Sequence, residues 1–151
     1  MDHHAISEQV LNEHQTLAFV VDALRATIGW KYQGADLTRK LASLVFVTQS
    51  FQRHLKHLME LEEADGYLSV VVTAHPEWQP KIEALRQEHG QFRQSLRRLL
   101  AGLRRVAPDD HATFTKLSDE LLALLDKLNE HNSKETQLLQ KALLRDQGGE
   151  G

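Results

Sequence analysis

The residues best suited to chemistry lie late in the chain, between Leu128 and Leu139. His131 and Glu135 stand four residues apart, so on a helix they share one face, one turn apart. The leucines around them continue the same three- and four-residue spacing, so an imidazole and a carboxylate replace two members of an apolar stripe. Burying such a pair without partners is costly. A metal ion is the leading candidate for the missing partner.

Other segments place similar side chains on their apolar stripes. His14, Glu62 and His89 each stand among apolar residues at helical spacing. A single stripe histidine is more often a hydrogen-bonded core residue than a ligand. Three histidines and two carboxylates in one core, however, would need several unrelated hydrogen-bonding solutions, and one metal centre satisfies them together. A glutamate precedes each stripe histidine and points about 100° away from it, which favours an orienting or solvating role for Glu13, Glu88 and Glu130.

The donor types narrow the choice of metal. The chain contains no cysteine, which excludes zinc-thiolate sites and iron–sulfur clusters. Imidazoles with carboxylates, in a set larger than four, suit two iron ions bridged by carboxylates better than tetrahedral zinc. The Glu-x-x-His pattern of ferritin-like di-iron proteins precedes no core histidine, and the last segment has His-x-x-x-Glu instead.

Four long amphipathic segments must position these side chains. They cover roughly residues 5–30, 36–73, 80–106 and 110–145, with short connections between them. Asp36 is a candidate N-cap, and the turn Ala107-Pro108-Asp109-Asp110 supplies an N-cap for the last segment. The β-branched stretch 67–72 is interpreted as a distorted helix end, because one isolated strand would have no partner. The pattern predicts an all-α protein, an antiparallel up-down-up-down four-helix bundle over residues 1–146, with a flexible tail at 147–151.

Composition excludes several other classes of function. The net charge of −3 gives no electrostatic reason to expect nucleic acid, and the basic cluster Arg97, Arg98, Arg104 and Arg105 is interpreted as a solvated helix face. No apolar run approaches the roughly 20 residues that cross a membrane, and the first residues do not resemble a signal peptide. We therefore expect a cytoplasmic protein. No nucleophile motif or phosphate-binding loop is present, so an enzyme is the less favoured interpretation, although oxidase or peroxidase chemistry at iron is conceivable.

With these segments in order, the chain resembles the hemerythrin-like (HHE) domain family. The resemblance covers nearly the whole chain, and it depends on four motifs in sequence rather than on any one of them. The matching pieces are Asn12-Glu-His14, His57-Leu-Met-Glu-Leu-Glu-Glu-Ala-Asp-Gly-Tyr67, Leu85-Arg-Gln-Glu-His89 and His131-Asn-Ser-Lys-Glu135.

The resemblance implies a non-heme di-iron site inside the bundle. The terminal ligands would be His14, His57, His89 and His131, and the bridging carboxylates would be Glu62 and Glu135. Activities in the family range over reversible oxygen binding, sensing of oxygen, nitric oxide or iron, iron storage, and iron–sulfur repair or peroxide handling. The implied partners are therefore iron and small diatomic ligands or peroxide.

The second helix departs from the family pattern. The family usually has His-x-x-x-Glu there, but Leu58 stands four residues before Glu62, and His57 stands five before it. On a regular helix His57 and Glu62 point about 140° apart, and a π-turn would bring them together. The rival interpretations are that His57 pairs with Glu60, that His54 replaces it, or that the ligand is lost. We favour the pairing of His57 with Glu62.

Two further departures concern function. The oxygen carriers of this family have His-x-x-x-His on the third helix, where this chain has Leu85 four residues before His89. Their fourth helix ends its motif in Asp five residues after the histidine, where this chain has Glu135 after four. Fewer histidines indicate sensing, storage or handling of oxygen, nitric oxide, peroxide or iron rather than oxygen carriage. The alternative is a metal-free bundle that serves as an interaction or regulatory domain.

Overall fold

The computed structural model describes the backbone of residues 3–31, 37–64 and 67–148, and side chains within 8–31, 37–63 and 68–142. Every regular element in these ranges is helical. In chain order they are α1 (His3–Gly29), α2 (Thr38–Ala64), α3 (Tyr67–Ala74), a 3-10 turn (Pro76–Trp78), α4 (Gln79–Arg105) and α5 (His111–Gly148). The predicted all-α class is confirmed, with four long helices and one short one. The candidate N-cap Asp36 and residues 149–151 of the predicted tail lie outside these residues.

Neighbouring helices pair their residues in opposite order along the chain. Between α1 and α2, His54 contacts Glu13, while Lys40 reaches the carbonyl of Ile28. Between α1 and α5, Arg25 pairs with Asp126 near one end and His14 approaches Glu135 nearer the other. This is the order expected for antiparallel neighbours in a bundle.

The ends of the helices satisfy their own backbone groups. The Lys40 ammonium donates to the carbonyls of Ile28 and Trp30, at 2.8 and 2.6 Å, and so caps the last turn of α1. The turn 107–110 supplies the N-cap of α5, as predicted, and the capping residue is Asp110, whose Oδ1 accepts from the Thr113 amide at 3.1 Å. These caps fix where the helices that carry the site begin and end.

The second predicted segment contains two helical elements among the described residues. It divides into α2, ending at Ala64, and α3, beginning at Tyr67. The β-branched stretch is helical, as predicted, because Leu68 and Val71 lie one turn apart and are both buried. Residues 65–66, between α2 and α3, lie outside the described residues.

The core is the set of stripes predicted from spacing. Buried apolar residues recur every three or four positions along each long helix, and the polar residues Glu62, His89, His131 and Glu135 occupy positions within those stripes with 1–2% of their surface exposed. Five apolar residues of the same stripes are also buried: Leu17, Leu58, Leu85, Phe92 and Leu128. None of the described helices is both long enough and apolar enough to cross a membrane.

Candidate metal centre

Five side chains from the four long helices converge in the middle of the bundle. His14 comes from α1, Glu62 from α2, His89 from α4, and His131 and Glu135 from α5. Their ligand atoms form two overlapping groups, each within 4.8 Å: one contains His89, His131 and Glu135, the other His14, Glu62 and Glu135. Spacing alone had predicted these five residues as one cluster, and the helices bring them together.

The Glu135 carboxylate divides its oxygens between the two groups. Its Oε1 lies 3.4 Å from Nε2 of His14, and its Oε2 lies 3.1 Å from Nε2 of His131 and 3.9 Å from Nε2 of His89. Each oxygen therefore faces a different set of imidazole nitrogens.

The Glu62 carboxylate has the same arrangement. Its Oε1 lies 3.9 Å from Nε2 of His14, and its Oε2 lies 3.8 Å from Nε2 of His89. Both buried glutamates thus present one oxygen towards His14 and the other towards the side of His89.

Two carboxylates outside the cluster lie near the Nδ1 atoms of His89 and His131, and one of them orients its histidine. Glu63 Oε1 lies 2.8 Å from Nδ1 of His89, and its other oxygen accepts from Arg93 at 2.8 Å. A proton on Nδ1 leaves the His89 Nε2 lone pair directed into the cluster. Glu88 Oε2 lies 3.4 Å from Nδ1 of His131, without the alignment of a hydrogen bond.

The two inner imidazoles crowd their Nε2 atoms together. The Nε2 atoms of His89 and His131 are 3.2 Å apart. If the Nδ1 atoms carry the protons, both Nε2 atoms present lone pairs, and the Oε2 of Glu135 lies beside them. Such a concentration of electron-pair donors repels itself unless a proton or a cation lies among them.

Within the described residues, several buried nitrogen and oxygen atoms of the cluster that could bind a metal have no hydrogen-bond partner. They are Nε2 of His14, Oε2 of Glu62, and both carboxylate oxygens of Glu135. Unpartnered charged groups in a dry core are costly. A divalent cation bound by carboxylate and neutral imidazole would satisfy them, so the residues present fit a metal centre.

The pKa values reflect the same crowding. Burial raises the pKa of Glu62 well above its ordinary value, and the neighbouring Glu135 carboxylate adds to the effect. Burial also acts to raise the pKa of Glu135, but contacts with Glu62 and the three histidines hold it well below its ordinary value. Without a cation, two carboxylates this close together therefore favour one proton shared by the pair.

Burial and neighbouring carboxylates have opposite effects on the pKa of His89. Burial acts to lower its pKa, but Glu135 and Glu63 outweigh burial and raise it. The Glu63 carboxylate has a lowered pKa, because Arg93 and His89 together overcome the effect of its partial burial. Glu63 therefore remains an anion that holds the His89 ring in place.

The structure does not bring His57 to the cluster. Its side chain is exposed, and α2 is α-helical from Thr38 to Ala64 without the expected π-turn. Because Leu58 and Glu62 both face the core, four residues apart, His57 is turned away. Of the rival residues, Glu60 is exposed, and His54 lies outside the cluster, with its Nδ1 3.1 Å from Glu13.

The sequence pattern predicted only some of the residues that orient the histidines. It gave Glu13, Glu88 and Glu130 an orienting or solvating role; Glu13 contacts His54 and Glu88 approaches His131, whereas Glu130 is exposed. The roles of Glu63 and Arg93 were not foreseen. A signal was available, because each directly follows a core residue of its helix and so lies at the edge of the buried stripe.

Fold and site together define a helical-bundle protein with a histidine–carboxylate site suited to metal cations. The comparison with known families agrees: the model of the hemerythrin HHE cation binding domain matches residues 3–143 of the 151. The chain therefore belongs to the hemerythrin HHE cation-binding family, and the predicted resemblance is confirmed. No curated protein and no solved structure gives a significant match.

Proposed function

We propose that the protein binds two non-heme iron ions at this centre, bridged by Glu62 and Glu135. The observation that carries the proposal is the division of both carboxylates, each with one oxygen towards His14 and the other towards His89. A single cation would leave one oxygen of each buried carboxylate unbalanced. Two cations use all four oxygens.

The donor set supports an asymmetric pair of iron sites. His89 and His131 would bind one ion and His14 the other, each ion sharing the two bridging carboxylates. Imidazole and carboxylate donors suit iron. His57 is exposed and has no role in this proposal, so the ion beside His14 has fewer protein ligands and more positions open to small molecules.

Access from solvent supports chemistry with small molecules at the His14 side. A groove of about 290 Å³ between α1 and α5 is lined by His14, Leu17 and Leu128, among others. The His14 side chain is 17% exposed, whereas those of the other four cluster residues are 1–2% exposed. Oxygen, nitric oxide and peroxide are small enough to enter such a groove.

The physiological role that fits this site best is sensing, storage or handling of oxygen, nitric oxide, peroxide or iron. The bound iron would supply redox chemistry and open coordination positions. Glu63 would hold the His89 ring, while buried Leu58, Leu85 and Phe92 limit the water that reaches the centre. With three histidines in the cluster rather than the carriers' five, simple oxygen carriage is the less suitable role.

Iron content tests the proposal. Protein expressed in iron-supplemented medium is expected to contain iron, to show charge-transfer absorption in its ultraviolet–visible spectrum, and to melt at a higher temperature than the metal-free protein. Near-zero iron, together with an unchanged melting temperature when ferrous ion is added, would contradict it. That outcome would favour the metal-free bundle, an interaction or regulatory domain.

A further inference from the structure

Two phenylalanines on the outside of the bundle belong neither to the core nor to the metal centre. Phe19 on α1 is 76% exposed and Phe46 on α2 is 69% exposed, which makes them the most exposed large apolar side chains described. Each stands two positions after a buried leucine, Leu17 or Leu44, so each points about 200° away from the core. Because α1 and α2 are neighbours, both phenylalanines lie on the surface that these two helices share, which we call the outer face.

The outer face has the composition of a protein interface. Small uncharged residues lie between and beside the two phenylalanines: Thr16, Ala23 and Ala26 on α1, and Ala42, Ser43 and Ser50 on α2. The Thr16 hydroxyl donates to the Asn12 carbonyl of its own helix at 3.1 Å, so covering it breaks no bond to water that it needs. Aromatic residues are enriched, and charged residues depleted, at the centre of protein interfaces.

We propose that the outer face binds the outer face of a second copy of this chain, in a dimer whose two-fold axis runs parallel to the helices. Such an interface uses the same surface of both copies and must be complementary to itself. In this arrangement α1 of each copy packs against α2 of the other, antiparallel to it, as α1 and α2 already pack within one chain.

The direction of the axis fixes the register of the contact. Rotation about an axis parallel to the helices leaves every residue at its own height, so the register between copies is the one within a chain. Glu13 contacts His54 within the chain, so Phe19, six residues later, is level with Thr48. Phe19 then lies within about 3 Å along the axis of Phe46 of the second copy. The symmetry makes this aromatic contact twice in each dimer.

The arginines of the outer face favour this arrangement over its alternative. Arg39 and Arg53 stand seven residues to either side of Phe46, so α2 packed antiparallel on α2 of the second copy would oppose like charges. In the proposed dimer Arg39 meets the end of α1 instead, because its neighbour Lys40 already reaches the Trp30 carbonyl within the chain. Trp30 is 47% exposed, and both its ring and the C-terminal end of a helix attract a cation.

The size of the outer face is sufficient for a weak dimer. From Asn12 to Trp30 the face extends about 28 Å, and the two helices together are about 20 Å wide. Contact over this surface covers roughly 1,100 Å² in total, close to the lower limit for a specific interface. We therefore expect a dimer that dissociates on dilution.

Sedimentation velocity of the full chain at increasing concentration tests for this dimer. Phe19→Asp and Phe46→Asp each place two charges in the interface, so each is expected to raise the dimer dissociation constant at least about tenfold. Circular dichroism is expected to show unchanged helical content, because both side chains are exposed. Leu11→Asp is the matched control and is expected to dimerise like the parent, because Leu11 is 60% exposed but lies about 80° around α1 from Phe19. A parent that remains monomeric, or an equal loss in the Leu11 variant, would overturn the proposal.

Disulfide cross-linking tests which helices meet. The chain contains no cysteine, so a single substitution introduces its one thiol. By the same register Ala23 is level with Leu44, and so lies beside Ser43 of the second copy. A mixture of Ala23→Cys and Ser43→Cys chains is expected to form a disulfide-linked dimer under mild oxidation, and either variant alone much less. Cross-linking of one variant to itself as readily as in the mixture would overturn the arrangement.

Discussion

At the scale of single residues, burial distinguishes two of the histidines predicted as ligands, His131 and His57. His131 is 2% exposed and lies in the cluster, whereas His57 is exposed on α2. Both were predicted as ligands, because both match family motifs in sequence. Only the position relative to the core stripe distinguishes them, and that position depends on the register of each helix.

Two alanine variants test this distinction. His131→Ala is expected to lose most of its iron while far-ultraviolet circular dichroism shows helical content close to the parent, because the helix-forming stripe remains. His57→Ala, the matched control, is expected to retain its iron. If His57→Ala loses iron and His131→Ala does not, the assignment of ligands is wrong.

Variants of Glu63 test its contact with His89. Glu63 holds Nδ1 of His89 at 2.8 Å, and its other oxygen pairs with Arg93. We expect Glu63→Ala to lower iron affinity by about 10-fold to 100-fold, and Glu63→Gln, which keeps an acceptor oxygen, to fall between that variant and the parent. Competition with an iron chelator measures the affinities.

The control for this position is also on α2. Glu60→Ala removes a carboxylate from an exposed position three residues earlier, and iron affinity is expected to stay unchanged. An effect as large as that of Glu63→Ala would show that general electrostatics, rather than the contact with His89, determines affinity.

The direction of the pH dependence follows from the same residues. Burial raises the pKa of Glu62, and Glu135 and Glu63 raise that of His89 against the effect of burial. Iron requires both groups deprotonated, so protons compete with iron and affinity is expected to fall as the pH falls. Equilibrium iron binding at a series of pH values measures this. An affinity that is constant, or that increases towards acid pH, would contradict the proposed ligands.

At the scale of helices, three of the four long elements follow the sequence pattern closely. The buried positions of α4 and α5 recur every three or four residues. This spacing was enough to predict that His89, His131 and Glu135 face the core, where they are buried. The second helix could not be resolved in the same way. Its motif histidine and its stripe glutamate conflict in register, and the core packing of Leu55, Leu58 and Glu62 prevails.

The orienting contacts could not be predicted for a different reason. They join residues of different helices, as Glu63 of α2 joins His89 of α4. A period along one helix gives no information about the rotation of that helix relative to its neighbour. The sequence therefore predicted the helical fold and the five residues of the cluster, together with His57, which lies outside it. Only the structure supplied the residues around the cluster.

Two glycines of α4 test how tightly this helix packs. An added Cβ would meet nothing within 4 Å at Gly90, but at Gly102 it would come within 3.2 Å of the Leu117 side chain on α5. Gly90→Ala is expected to stabilise the metal-free protein by about 0.5–1 kcal/mol through helix propensity. Gly102→Ala is expected to gain less, because Leu117 must move. Urea unfolding measures both, and a larger gain at Gly102 would contradict the packing.

At the scale of the whole molecule, the proposed centre links all four long helices. His14, Glu62, His89 and the pair His131 and Glu135 come from four different helices. Iron bound there would join these helices through coordination bonds and would stabilise the folded state by mass action.

The central claim is that the two carboxylates hold two iron ions. Anaerobic titration of the metal-free protein with ferrous ion, with bound iron counted per chain, tests it most directly. We expect saturation at about two ions per chain, because both Glu62 and Glu135 divide their oxygens between two groups of histidines. Saturation at one ion per chain, or no specific binding, would contradict it.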